Sequence, residues 1–114
     1  MSKLVIQRPR AEADIDEIFA WLRRDSAKAA VKFLDAVQSA YGLPGEHPAS
    51  GSARHAAYFP ELPHPLRFFP RHDFARILIY CMLIYCMDRP DAVEVIRVWD
   101  AARGLDALLV ETED

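Results

Sequence analysis

From Ala11 to Leu22 the apolar residues Ala11, Ile15, Ile18, Phe19 and Leu22 recur at the i, i+3, i+4, i+7 spacing of one helical face. Pro9 and Arg10 start this helix, where a missing N–H costs nothing. Glu12, Asp14, Asp16 and Glu17 lie near its N-terminus and Arg23 and Arg24 near its C-terminus, the signs that the helix dipole favours. Ser26 is a cap for a second helix, striped by Ala30, Phe33, Leu34, Val37 and Tyr41. Gly42 stands where a left-handed residue would end it. With about two residues between them, the helices should form an antiparallel hairpin. Ahead of them, Lys3 to Gln7 alternates weakly and suits a short strand. Residues 43–57 are rich in Pro, Gly and Ser and read as one long loop. Strands are expected at Leu66–Phe69, from Arg76 onward and at Ala92–Trp99. Pro60, Pro63, Pro65 and Pro70 confine the first of these to a short or edge position. The order is strand, two helices, three strands: an α+β fold with the hairpin on one face of a mostly antiparallel sheet.

One segment is written twice. Leu78-Ile79-Tyr80-Cys81-Met82 is followed at once by Leu83-Ile84-Tyr85-Cys86-Met87. Side chains alternate with period two, so an odd shift of five presents each residue type to the opposite face. The run Arg76–Met87 would reach roughly 40 Å when extended, against a partner of eight residues. Some of the third strand must therefore bulge, bend or overhang. A plain hairpin extension is one outcome; a strand edge that pairs with another chain is the other.

A chain of 114 residues, 52% of them hydrophobic, suits one domain over 1–114 with a modest core. It has no run of about 18 apolar residues, and its charged N-terminus lacks a signal-peptide core, which points to the cytoplasm. Cys81 and Cys86 are too few and too close for a secreted disulfide framework and read as reduced thiols. The net charge of -3 arises in the tail: residues 104–114 hold Asp106, Glu111, Glu113 and Asp114 and no Lys or Arg. The near-neutral remainder argues against a chain that mainly grips a phosphate backbone, and no sequence-specific DNA binding is expected. Phosphate loop, dinucleotide fingerprint, HExxH and CxxC are all missing. His47, His55, His64 and His72 are too widely spaced for a rigid zinc site, so neither metal nor cofactor is expected.

The stretch Ala92–Leu109, AVEVIRVWDAARGLDALL, reads as a strand that enters an Ala-Arg-Gly-Leu turn and a short apolar C-terminal helix. With LRFFP and ILIY upstream, it resembles the C-terminal half of the RelE/ParE toxin superfamily, whose last strand reads like VEVLRVLHGARDL. Val93 to Val98, Ala102, Arg103 and Leu105 keep that pattern, while Trp99, Asp100 and Ala101 replace an aliphatic residue, His and Gly. The opening RPRAEADIDEI is similar to the ParE branch in particular, and the HPASG loop extends the resemblance over nearly the whole chain. Members usually carry one LIYCM-like segment, so the extra copy resembles an insertion.

The resemblance implies a toxin of a type II toxin-antitoxin module, of the kind that stabilises plasmids. It would poison DNA gyrase by binding, without catalytic residues, in a hetero-oligomer with a ParD-like antitoxin that neutralises it. Such an antitoxin dimerises through a DNA-binding N-terminal domain and wraps its C-terminal segment around the toxin. The alternatives are a RelE-like, ribosome-dependent mRNA endoribonuclease and a homologue that binds antitoxin without toxicity.

Two residue sets bear on that choice. Arg67, Arg71, His72, Arg76, Arg97 and Arg103 lie where the strands can bring them together. Attack by an RNA 2′-hydroxyl needs a base, an acid and cations on the phosphate. Arg67, Arg97 and Arg103 would hold the phosphate, but only His72 could move protons. The plainer reading is that these arginines are solvated or acid-paired, Arg97 with a helix carboxylate such as Asp16. The other set is an apolar surplus: Trp21 and Val31 each sit off their helix's stripe. Trp21 is a binding anchor or packs on the loop of residues 43–57. The candidate partner-binding residues are thus Trp21, Val31, Arg67, Arg97, Trp99 and Arg103.

Overall fold

The computed structural model describes residues 3–71 and 82–100, with 70, 71, 82 and 83 described by backbone alone. Strand β1 (Leu4–Gln7) leads into helices α1 (Pro9–Asp25) and α2 (Ala27–Ala40), followed by a one-turn helix α3 (Gly42–Glu46). Two 3-10 turns, Pro48–Ser50 and Ala56–Tyr58, precede β2 (Leu66–Arg71), β3 (Met82–Asp88) and β4 (Ala92–Asp100). The fold is α+β, as the patterning indicates. The sheet runs β1-β4-β3-β2 and is mixed, with β1 parallel to β4 and the other pairs antiparallel. Strand β2, preceded by Pro65 and holding Pro70, is an edge strand, as expected.

The hairpin needs only Ser26 between its helices. Its backbone is extended (φ -158°, ψ 111°), which stops α1, and its Oγ accepts the Ala29 N–H at 3.1 Å, which starts α2. Gly42 does not take the left-handed role expected of it. Tyr41 stays right-handed (φ -71°, ψ -15°) and the chain turns directly into α3. The expected loop is thus partly ordered. The Lys3 N–H donates to the Gly45 carbonyl at 2.8 Å, so α3 covers part of β1's outer edge.

Both sheet faces are covered. On one, Ala11, Leu22, Ala30, Phe33 and Val37 of the helices pack on Phe69, Ile84, Cys86, Val93, Val95 and Val98. On the other, Phe59 and Leu62 of the connecting segment close over Leu66, Tyr85, Met87, Ile96 and Trp99. Gly51 is required here by a close approach: a Cβ would lie 2.6 Å from the Phe69 ring. Gly51→Ala is expected to cost about 1–3 kcal/mol in a urea titration, because a ring packed in the core must shift. Phe69→Leu in the same chain should recover part of that loss.

The downstream LIYCM copy lies wholly within β3, which begins at Met82, the last residue of the upstream copy. Ile84, Tyr85, Cys86 and Met87 are all buried in β3, flanked by β2 and β4. Residues 78–81 of the upstream copy, the C-terminal helix and the acidic tail lie outside the described residues. Most of the run expected to bulge, bend or overhang lies outside the described residues, but β4 carries an irregularity of its own. Tyr85 pairs with Arg97 and Cys86 with Val95, leaving Ile96 as the extra residue of a bulge. That residue changes the phase of β4, so Val93, Val95 and Val98 share the helix-side core while Ile96 and Trp99 join the other.

Candidate functional site

Strand β1 ends at Gln7, opposite Val95, while β4 continues to Asp100. Beyond Val95 the edge of β4 therefore meets α1. Asp14 fills the place of a strand partner there: its Oδ2 accepts the Val98 N–H at 3.1 Å. The same carboxylate takes both ends of a fork from Arg97, Nε on Oδ2 and Nη2 on Oδ1, each at 2.7 Å. Arg97 is 1% exposed and Asp14 4%. The guanidinium also lies 4.8 Å from the centroid of Trp99's ring, a cation–π contact. An ion pair this well satisfied locks helix to sheet, and it is costly to break.

Above it opens a cavity of about 230 Å³, walled by Glu17, Ile18 and Trp21 of α1 and by Val98, Trp99 and Asp100 of β4, with Asp14 beneath. Trp21 is 51% exposed on this wall. A second groove, about 630 Å³, runs along α1, α2 and β1 past Glu12, Ile15, Leu34, Asp35 and Tyr41. There the Tyr41 hydroxyl donates to Gln7 Oε1 at 2.5 Å. Val31 and Leu34, one turn apart on α2, are exposed. The two cavities share no lining residue.

Of the arginine set, Arg67 and Arg97 fall among the described residues, and each is engaged within the fold. Arg97 is sunk against α1, and its partner is Asp14 and not Asp16. Asp14 was legible as a carboxylate on the buried stripe between Ala11 and Ile18, whereas Asp16 is exposed. Arg67 is half-buried on β2 and donates from Nη1 to the Gly51 carbonyl at 2.9 Å, fastening the connecting segment to the sheet. Trp99, a candidate contact residue, is 2% exposed, so only its edge can be reached, through the cavity. His72, Arg76 and Arg103 lie outside the described residues, as does the side chain of Arg71.

One cluster had no signal in the sequence. His55 stacks on Phe68 with centroids 4.6 Å apart, and its Nδ1 lies 2.9 Å from the Tyr85 hydroxyl. Tyr58 stands edge-on to the same ring. Burial first, then the charge of Arg54, lowers the His55 pKa, while burial pushes Tyr85 up to about 12. A base with a lowered folded pKa stabilises the fold above the unfolded value near 6.5 and loses that contribution as pH falls below it. The urea midpoint should accordingly drop more between pH 7.5 and 5.5 in the parent than in His55→Gln. Equal drops would show that another group governs the acid limb. Cys86 is a buried free thiol whose pKa burial pushes up to about 12, an inert packing residue at neutral pH.

Among the described residues no helix is long and apolar enough to cross a membrane. Nor do three of His, Cys, Asp and Glu gather there as metal ligands. No curated protein matches the sequence. Residues 5–105, which hold the hairpin, nearly all of the four strands and the Asp14–Arg97 lock, match a family described as the ParE toxin of the type II toxin-antitoxin system parDE. The chain belongs to that ParE toxin family.

Proposed function

We propose that this chain arrests growth by binding DNA gyrase in the cytoplasm, and that a ParD-like antitoxin neutralises it in a hetero-oligomer. The observation that carries a binding mode is the burial of Arg97. A guanidinium held by both oxygens of Asp14 is not available to a phosphate, so the cation set needed by a nuclease loses a member. What the molecule offers outward instead is apolar and aromatic: Trp21, Val31 and Leu34 on the hairpin. Side chains of this kind supply the anchors of protein interfaces. Purified chain should stop supercoiling by purified gyrase, and the product of a neighbouring short gene with a ribbon-helix-helix start should restore it. His72→Ala should leave growth arrest intact.

A RelE-like endoribonuclease is the other reading, and His55 is what favours it. A half-buried imidazole with a lowered pKa, held by Tyr85 and close to Arg54, has the makings of a neutral-pH base. Ribosome-dependent mRNA cleavage lost in His55→Gln, with supercoiling unaffected, would establish that reading in place of the gyrase one. Harmless overexpression with antitoxin binding intact would identify a homologue that has lost toxicity.

A further inference from the structure

We propose that the cavity between α1 and the end of β4 receives a single arginine side chain from the protein partner. The inference rests on the reading that this chain is neutralised by a protein antitoxin. At about 230 Å³ the cavity is smaller than a typical small-molecule pocket and is open on one side, a size for one long side chain and not for a folded element.

Its chemistry is that of a guanidinium receptor. Glu17 and Trp21 stand one helical turn apart on α1, so carboxylate and indole flank the same opening. Trp21 is half exposed, and the Glu17 carboxylate has no partner among the described residues. Asp100 also lines the cavity but is engaged within the fold. Asp14 beneath is already committed to Arg97 and the Val98 N–H, so the charge offered to a ligand is that of Glu17. Ile18 and the edge of Trp99 supply apolar wall for an aliphatic stem.

The chain holds its own template for such a site deeper in the same wall. Arg97 lies between the carboxylate of Asp14 and the ring of Trp99. Glu17 and Trp21 repeat that carboxylate–indole pair at the surface with the guanidinium left out. Arginine suits the pair better than lysine does, because a planar, weakly hydrated cation can stack on an indole while forking onto a carboxylate.

Two measurements test this, both with the full chain. In one, N-acetyl-arginine methylamide is titrated while the indole N–H signals of Trp21 and Trp99 and the Ile18 methyls are followed by NMR. Saturable shifts at Trp21 and Ile18 are expected. The lysine analogue should bind several-fold more weakly, the norleucine analogue should produce no shift, and Glu17→Gln should weaken the arginine response several-fold. Equal responses to arginine and norleucine, or none to arginine, would overturn the proposal. In the other, Trp21→Ala and Glu17→Gln should each weaken the complex with the neighbouring antitoxin about tenfold, while both variants keep the parent's circular dichroism. One antitoxin arginine, changed to Met, should couple to Glu17→Gln in a double-mutant cycle. A complex indifferent to both substitutions, with no coupled arginine, would overturn the cavity's role while the toxin–antitoxin reading stands. Failure of the parent chain to form any complex would overturn that reading instead, and the arginine titration would still decide the cavity.

Discussion

Asp14→Ala is expected to remove about 3–5 kcal/mol of folding stability, the cost of leaving a buried charge without its counter-ion. Two losses coincide at this position. Arg97, 1% exposed, keeps its charge but loses both contacts of its fork, and the Val98 N–H loses its acceptor at the edge of β4. Since a domain of this size holds about 5–15 kcal/mol in all, the variant should sit near the limit of folding at 37 °C. Urea unfolding at pH 7 gives the measurement. The double variant Asp14→Leu, Arg97→Met should recover much of the loss, because apolar residues of similar size often replace a buried ion pair at little cost. A single variant that unfolds at the parent's midpoint would mean that the lock between helix and strand contributes nothing and that Arg97 tolerates burial without its counter-ion.

Ile84→Ala is expected to cost about 2–5 kcal/mol, as for other large-to-small changes in a core. Ile84 is fully buried, pairs with Phe69 on β2 and Val98 on β4, and faces the helices. The duplication gives this substitution a further use. Because the copies are identical, excising residues 83–87 or 78–82 yields one and the same polypeptide, with Ile77 followed by LIYCM and Asp88. That chain still delivers Leu, Ile, Tyr, Cys and Met to the β3 positions now held by residues 83–87, so it should fold and bind antitoxin like the parent. In the shortened chain the isoleucine-to-alanine change should cost the full amount. A distinctly smaller loss in the full-length Ile84→Ala variant would show that the upstream copy can move five residues along and supply its own isoleucine. Comparing the two urea midpoints decides it.

The elements were legible because each depends on local periodicity. The stripe of α1, the Ser26 cap, the proline limits on β2 and the short strand β1 all depend on a few neighbouring residues and survive into the structure. Gly42 misleads because a left-handed ending is a common device among several, and α3 lets the chain leave α2 without one. The candidate site was legible only in part. Trp21 and Val31 stand out as apolar residues off the stripe, and both are exposed. The fate of Arg97 depends on where β1 stops and on one extra residue at Ile96, which together open the edge of β4 to α1. Neither is a local property of the residues around Arg97. His55 likewise lies 30 positions from Tyr85, and only the fold of the connecting segment joins them. Sequence alone therefore determined the α+β order, the hairpin and the family's signature, since these rest on hydrophobic periods and short motifs. Tertiary structure decided which charges are buried, how the downstream LIYCM copy is paired in the sheet and where an acidic, aromatic cavity opens, since each requires distant segments to compete for the same space.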